Sequence, residues 1–136
     1  MMEISVERMI LGFAGGRIIN PNIVNGQLVG SIIWGMGQAL FEKTREDRRD
    51  GRWLNAELGE AMIATQADVN DVCAITVPDD ESHSHQVGMK GLAEAAVLGP
   101  APAIANAFFD ATGKRLRSPS MRLEDRLAAF STETHP

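Results

Sequence analysis

The chain contains no tyrosine, and aromatic residues make up only 5% of it. It has a single cysteine, Cys73, among 136 residues. One cysteine excludes an internal disulfide. It also excludes a self-contained iron–sulfur cluster or zinc finger, which needs about four ligands rich in Cys or His. Positive charge is scarce too: 13 basic residues against 18 acidic ones leave a net charge of −5. Nucleic-acid binders concentrate Lys and Arg on one face, so this balance argues against a phosphate-backbone partner. Residues 1–16 lack the basic start of a secretory signal, with Glu3 and Glu7 in its place, and they lack a twin arginine. The expected location is therefore cytoplasmic.

What is present points to one globular domain. Hydrophobic residues reach 44%, which excludes a chain disordered throughout. A length of 136 residues falls in the usual single-domain range of about 100–200. Thirteen glycines in an aromatic-poor chain suggest tight turns and close backbone approaches. The stretch Ile18 to Leu40 carries no charged side chain over 23 residues, long enough to span a bilayer. Asn20, Pro21, Asn22, Asn25, Gln27 and Gln38 would each bring a polar or helix-breaking group into lipid, so the preferred reading is a segment buried in protein.

Periodicity supplies a coarse map. Ile4 to Leu11 alternates and then turns apolar, which predicts a strand ended by Gly12, Gly15 and Gly16. Asn20-Pro21-Asn22 reads as a turn. Leu28, Val29, Ile32, Ile33, Met36 and Leu40 recur at helical spacing, so a helix is expected from Gly26 or Gln27 to about Lys43. Gly26, Gly30, Gly35 and Gly37 each weaken an isolated helix by about 1 kcal/mol, so another backbone or a ligand is expected to press on all four. This helix is apolar on more than one face, and self-association or a partner chain is expected to cover it. Glu46 to Arg52 reads as a solvated turn, and Val72 to Val77 as a strand closed by Pro78. His83 and His85 lie in a polar loop, read as solvated in preference to metal-binding. A helix is expected over Ala103 to Thr112, stopped by Gly113, and a last one capped by Ser120 and running to Phe130. Residues 131–136 read as a disordered tail behind a domain fragment of residues 1–130.

The segment richest in chemistry is Gly88-Met89-Lys90-Gly91-Leu92-Ala93-Glu94. Two glycines three apart let backbone N–H groups approach an anionic or planar ligand. Glu94 follows among apolar neighbours, and a desolvated carboxylate suits proton abstraction. The same residues also fit a tight turn before a helix that holds Glu94 in its first turn, where the helix dipole favours it.

Five ordered blocks bear on this choice. They are Gly16-Arg17-Ile18-Ile19-Asn20-Pro21; Gly26-Gln27-Leu28-Val29-Gly30 with Trp34-Gly35-Met36-Gly37-Gln38-Ala39-Leu40; Asp68-Val69 with Val72 to Val77; Gly88 to Glu94; and Pro102 to Ala107 with Asp110 to Arg115. In this order they resemble the carboxyl-terminal part of the molybdopterin-binding subunit of the xanthine dehydrogenase and aldehyde oxidase family, over about Ile4 to Leu127. The resemblance implies an α+β domain with a buried glycine-rich helix, short strands and a C-terminal helical segment. It implies a share in the oxidative hydroxylation of an aldehyde or N-heterocycle, with Glu94 as proton acceptor. Gln27, Gly88, Lys90 and Gly91 are implied to shape the molybdenum–molybdopterin pocket. That pocket is expected to be shared, so the chain alone is expected neither to hold the cofactor nor to turn over. The implied partners are the remaining molybdopterin-subunit segments, and other chains carrying iron–sulfur clusters and flavin. The alternative is a truncated, non-catalytic remnant or an interaction module that needs another chain. Ala93 stands where the family usually has glycine, a change that would strain the loop if the backbone there had positive φ.

Overall fold

The computed structural model describes residues 4–80, 83, 86–118 and 120–131. His85 and the tail from residue 132 lie outside the described residues. Mixed helix and strand is the architecture. Strand β1 (Arg8–Phe13) is followed by helix α1 (Pro21–Leu40), a small hairpin of β2 (Glu46–Asp47) and β3 (Arg52–Trp53), strand β4 (Asp71–Thr76), and helices α2 (Pro100–Thr112) and α3 (Leu123–Ser131). Short 3₁₀ turns at Gln66–Asp68 and Ala95–Leu98 precede β4 and α2.

β1 and β4 form a parallel pair, with Arg8 opposite Asp71 and Phe13 opposite Thr76. Strand periodicity sends Met9, Leu11, Phe13, Val72 and Ala74 to one face, where they pack against α1. The strand expected from Ile4 begins at Arg8, because Asp71 is where its partner strand begins. The preceding residues are held instead by the Asn70 side chain, which donates to the Ser5 hydroxyl and the Val6 carbonyl.

α1 starts earlier than its hydrophobic spacing suggested. Asn20-Pro21-Asn22 is not a free turn but the helix start. The Asn20 side chain accepts from the backbone N–H groups of Asn22 and Ile23 at 3.1 and 3.2 Å. Pro21 occupies the first helical position, where its fixed φ fits and its missing N–H costs nothing. The helix stops at Leu40 rather than Lys43, with the N–H groups of Phe41 and Glu42 both donating to the Gly37 carbonyl.

Ile32, Met36, Ala39 and Leu40 form the main core with Ile104 of α2 and with Met121. Val24 and Leu28 form a second cluster with Ala96, edged by Leu11, Phe13, Ile18, Ala74 and Leu92. The chain's own segments cover one side of α1, while Ile23 (63% exposed) and Trp34 (51%) stay uncovered. No helix among the described residues is long and apolar enough to cross a membrane.

Two further expectations are corrected. α2 begins at Pro100, three residues early, and ends at Gly113 in the left-handed region (φ 70°), whose N–H donates to the Phe109 carbonyl. Ser120 does not cap α3, which starts at Leu123. Ser120 is buried at φ 61° with its hydroxyl unpartnered, and the next N–H, of Met121, donates to the Ala39 carbonyl. The charged run Glu46 to Arg52 is solvated as expected, but it closes the small hairpin through Gly51 (φ 73°).

Candidate active-site loop

The loop Gly88 to Glu94 is stapled to the turn that follows β1. Gly16 and Met89 form an antiparallel bridge. The Arg17 N–H donates to the Gly88 carbonyl at 2.7 Å, and the Lys90 N–H donates to the Gly15 carbonyl at 3.1 Å. Gly16 (φ 65°) and Gly88 (φ 70°) both take left-handed backbone, which only glycine adopts without strain. Two glycine turns far apart in sequence thus lock each other by main-chain bonds. The Lys90 ammonium pairs with Asp79.

Beyond the staple, Leu92 anchors the loop in the cluster of Val24, Leu28 and Ala96. Glu94 immediately precedes the 3₁₀ turn Ala95–Leu98 and makes no capping bond with its side chain. The carboxylate is exposed, and no hydrogen bond or ion pair engages it among the described residues. The expected desolvation is therefore not supplied by these residues, despite the apolar sequence around it. Ala93 has ordinary negative φ, so alanine sits there without strain. Gly91 is also unstrained, with open space where a Cβ would stand.

Gln27 lies on the exposed side of α1, next to buried Leu28. Leu28 and Val24 pack on Ala96 and Leu92, so Gln27 and Glu94 each lie close in sequence to a residue of that cluster. Gln27, Gly91 and Glu94 are all exposed, an open surface among the described residues. Two concavities lie elsewhere. One of about 480 Å³ is lined by Trp34, Lys43, Glu60 and Arg122 among others, and one of about 780 Å³ lies between the start of β1 and α2. Neither includes Gln27 or any residue from Gly88 to Glu94.

Sequence reasoning missed Gly15 as an acceptor and Asp79 as the partner of Lys90. Gly15 had a signal, since paired glycines after a strand suggest a backbone approach. Asp79 had none: its contact depends on the path of the intervening loop.

A molybdopterin cofactor-binding domain family matches residues 1–70. The molybdenum-binding subunit PaoC of the Escherichia coli K12 aldehyde oxidoreductase is 34% identical over 125 residues, 92% of this chain. The putative xanthine dehydrogenase molybdenum-binding subunit XdhA of the same organism is 31% identical over 83% of the chain. A Cu,Mo-containing CO dehydrogenase superposes with a TM-score of 0.80 over 94% of the chain at 22% identity, which shows a shared fold. The chain spans 17% of the length of PaoC and 15% of XdhA. With more than half of its residues matched by the family and a third identical to an aldehyde oxidoreductase subunit, the chain belongs to the molybdopterin-binding subunits of the xanthine dehydrogenase and aldehyde oxidase family.

Proposed function

We propose that this chain forms one wall of the cofactor and substrate pocket in a molybdenum hydroxylase acting on an aldehyde or N-heterocycle, with Glu94 as proton acceptor. One observation carries the reading. Glu94 sits on a loop fixed by main-chain bonds to a distant turn, yet among the described residues its carboxylate neither caps a helix nor pairs with a cation. A carboxylate held in place but left without a structural partner is available for proton transfer.

The open wall fits a large, polar cofactor that other segments enclose. Gln27 would offer its amide to the cofactor, while Gly88 and Gly91 would let it approach the backbone. When bound, the molybdenum cofactor supplies the redox chemistry of hydroxylation. The chain's own part is to orient that cofactor and to hold Glu94 where a proton leaves. Segments outside these 136 residues would exclude water and desolvate Glu94, strengthening its action as a base. Iron–sulfur clusters and flavin, where the assembly uses them, would lie beyond this chain, which has one cysteine.

The test is Glu94→Gln in the complete assembly. It keeps size and removes the base, so turnover should fall about 10²–10⁴-fold, the usual share of general-base catalysis. Bound molybdenum should stay unchanged. Full activity in the variant would remove Glu94 from the mechanism.

A further inference from the structure

The parallel pair β1–β4 is covered on one face only. Parallel sheets occur almost only with both faces covered. Here the inner face meets α1, but the outer face carries Ile10, Gly12, Cys73, Ile75 and Val77 without cover. Ile10 is 59% exposed, Ile75 51% and Val77 45%. These side chains are contiguous: Ile10 stands opposite Cys73, Gly12 opposite Ile75, and a Cβ on Gly12 would lie 3.6 Å from Val77. The ion pair of Arg8 with Asp71 closes the patch at its polar end. Among the described residues each strand pairs only with the other, so both outer edges also lack a ladder partner. Two strands with one bare apolar face are a piece of a larger layered structure.

We propose that this outer face is the docking surface for the remainder of the molybdopterin-binding subunit, which lays an apolar helix or sheet face across Ile10, Cys73, Ile75 and Val77. The choice of occupant rests on length. The chain matches only 17% of the curated relative and 16% of the superposed CO dehydrogenase chain, so most of such a subunit lies outside these residues. The inference shares with the proposed function the premise of a larger assembly, but it requires no catalysis.

Cys73 makes the face measurable, because it is the chain's one cysteine and is exposed there. Iodoacetamide should alkylate it at the rate of a free thiol in the chain alone. With the chain produced together with PaoC lacking its aligned stretch, alkylation should slow by at least about tenfold. Ile75→Lys should leave the melt of the chain alone unchanged and abolish association. An unchanged alkylation rate in the complex overturns the proposal. So does failure to associate both in this format and in a single-polypeptide chimera carrying this chain in place of the aligned stretch. Protection that grows with concentration of the chain alone assigns the face to a second copy and also overturns it. A lowered melt for Ile75→Lys would place the face in the chain's own core and would overturn it as well. Protection without turnover would defeat the proposed function alone, and turnover with an unprotected Cys73 would defeat this inference alone.

Discussion

The two halves of α1 are built from similar residues and live in different surroundings. In the first half, Gly26 and Gly30 are exposed and a Cβ on either would meet nothing within 4 Å. In the second, a Cβ on Gly35 would stand 2.7 and 2.8 Å from Pro100 side-chain carbons and 2.9 Å from the Val97 carbonyl oxygen. One on Gly37 would stand 2.6 Å from a Glu42 carboxylate oxygen. The reading that another backbone or a ligand presses on all four glycines therefore holds at Gly35, fails at Gly26 and Gly30 within this chain, and at Gly37 meets only the flexible end of Glu42 closely, with the Ala64 backbone at 3.6 Å. The crowded half builds the core with α2. The open half carries the exposed Gln27, which the proposed function turns toward the cofactor.

The sharpest break of this comparison is a pair of alanine substitutions. Gly35→Ala should destabilise by about 1–3 kcal/mol, because the Pro100 ring and Val97 carbonyl must shift to admit the methyl. Gly30→Ala should stabilise by about 0.5–1 kcal/mol, since helix propensity improves and nothing is displaced. Thermal melts of the two variants read both effects. Shifts of the same sign would erase the distinction between the halves.

A smaller pair sharpens it within the loop. Gly88→Ala forces a side chain into left-handed backbone and should cost about 1 kcal/mol. Gly91→Ala meets open space at ordinary φ and should stay within about 0.5 kcal/mol in denaturant unfolding. Equal costs would mean that the staple at Gly16 and Met89 does not depend on the glycine turn.

The smallest expected effect is a pH dependence just before β4. The Thr65 N–H and hydroxyl both donate to the Asp68 carboxylate, at 2.7 and 2.8 Å, and hold its pKa below the ordinary value. A lowered folded pKa means that the unfolded chain binds more protons in that window. Stability from this contact is then full above the ordinary carboxylate value of about 3.9 and is lost as pH falls through the folded value. Asp68→Asn should flatten that limb of a pH–stability curve, and an unchanged limb would assign it to other carboxylates.

How much of this was legible in the sequence follows from range. Hydrophobic spacing showed α1 and β4, because each repeats its own period over many residues. It missed the first turns of α1 and α2, where proline rather than an apolar residue carries the signal. It misjudged Ser120, whose backbone is set by the contact of Met121 with Ala39 far away in the chain. At the site, Gly88 and Glu94 were visible as a motif, but the staple to Gly15 and Gly16 depends on a fold that brings two loops together. The exposure of Glu94 ran against its apolar neighbours, because Leu92 and Ala96 turn inward while Glu94 between them turns out.

The most direct measurement of the central claim, that these residues form one wall of a shared pocket, is molybdenum content by elemental analysis. The purified 136-residue chain should contain no stoichiometric molybdenum or pterin, while the complete assembly containing it should hold both. Stoichiometric molybdenum on the chain alone would mean that these residues close a pocket by themselves, and would contradict the account.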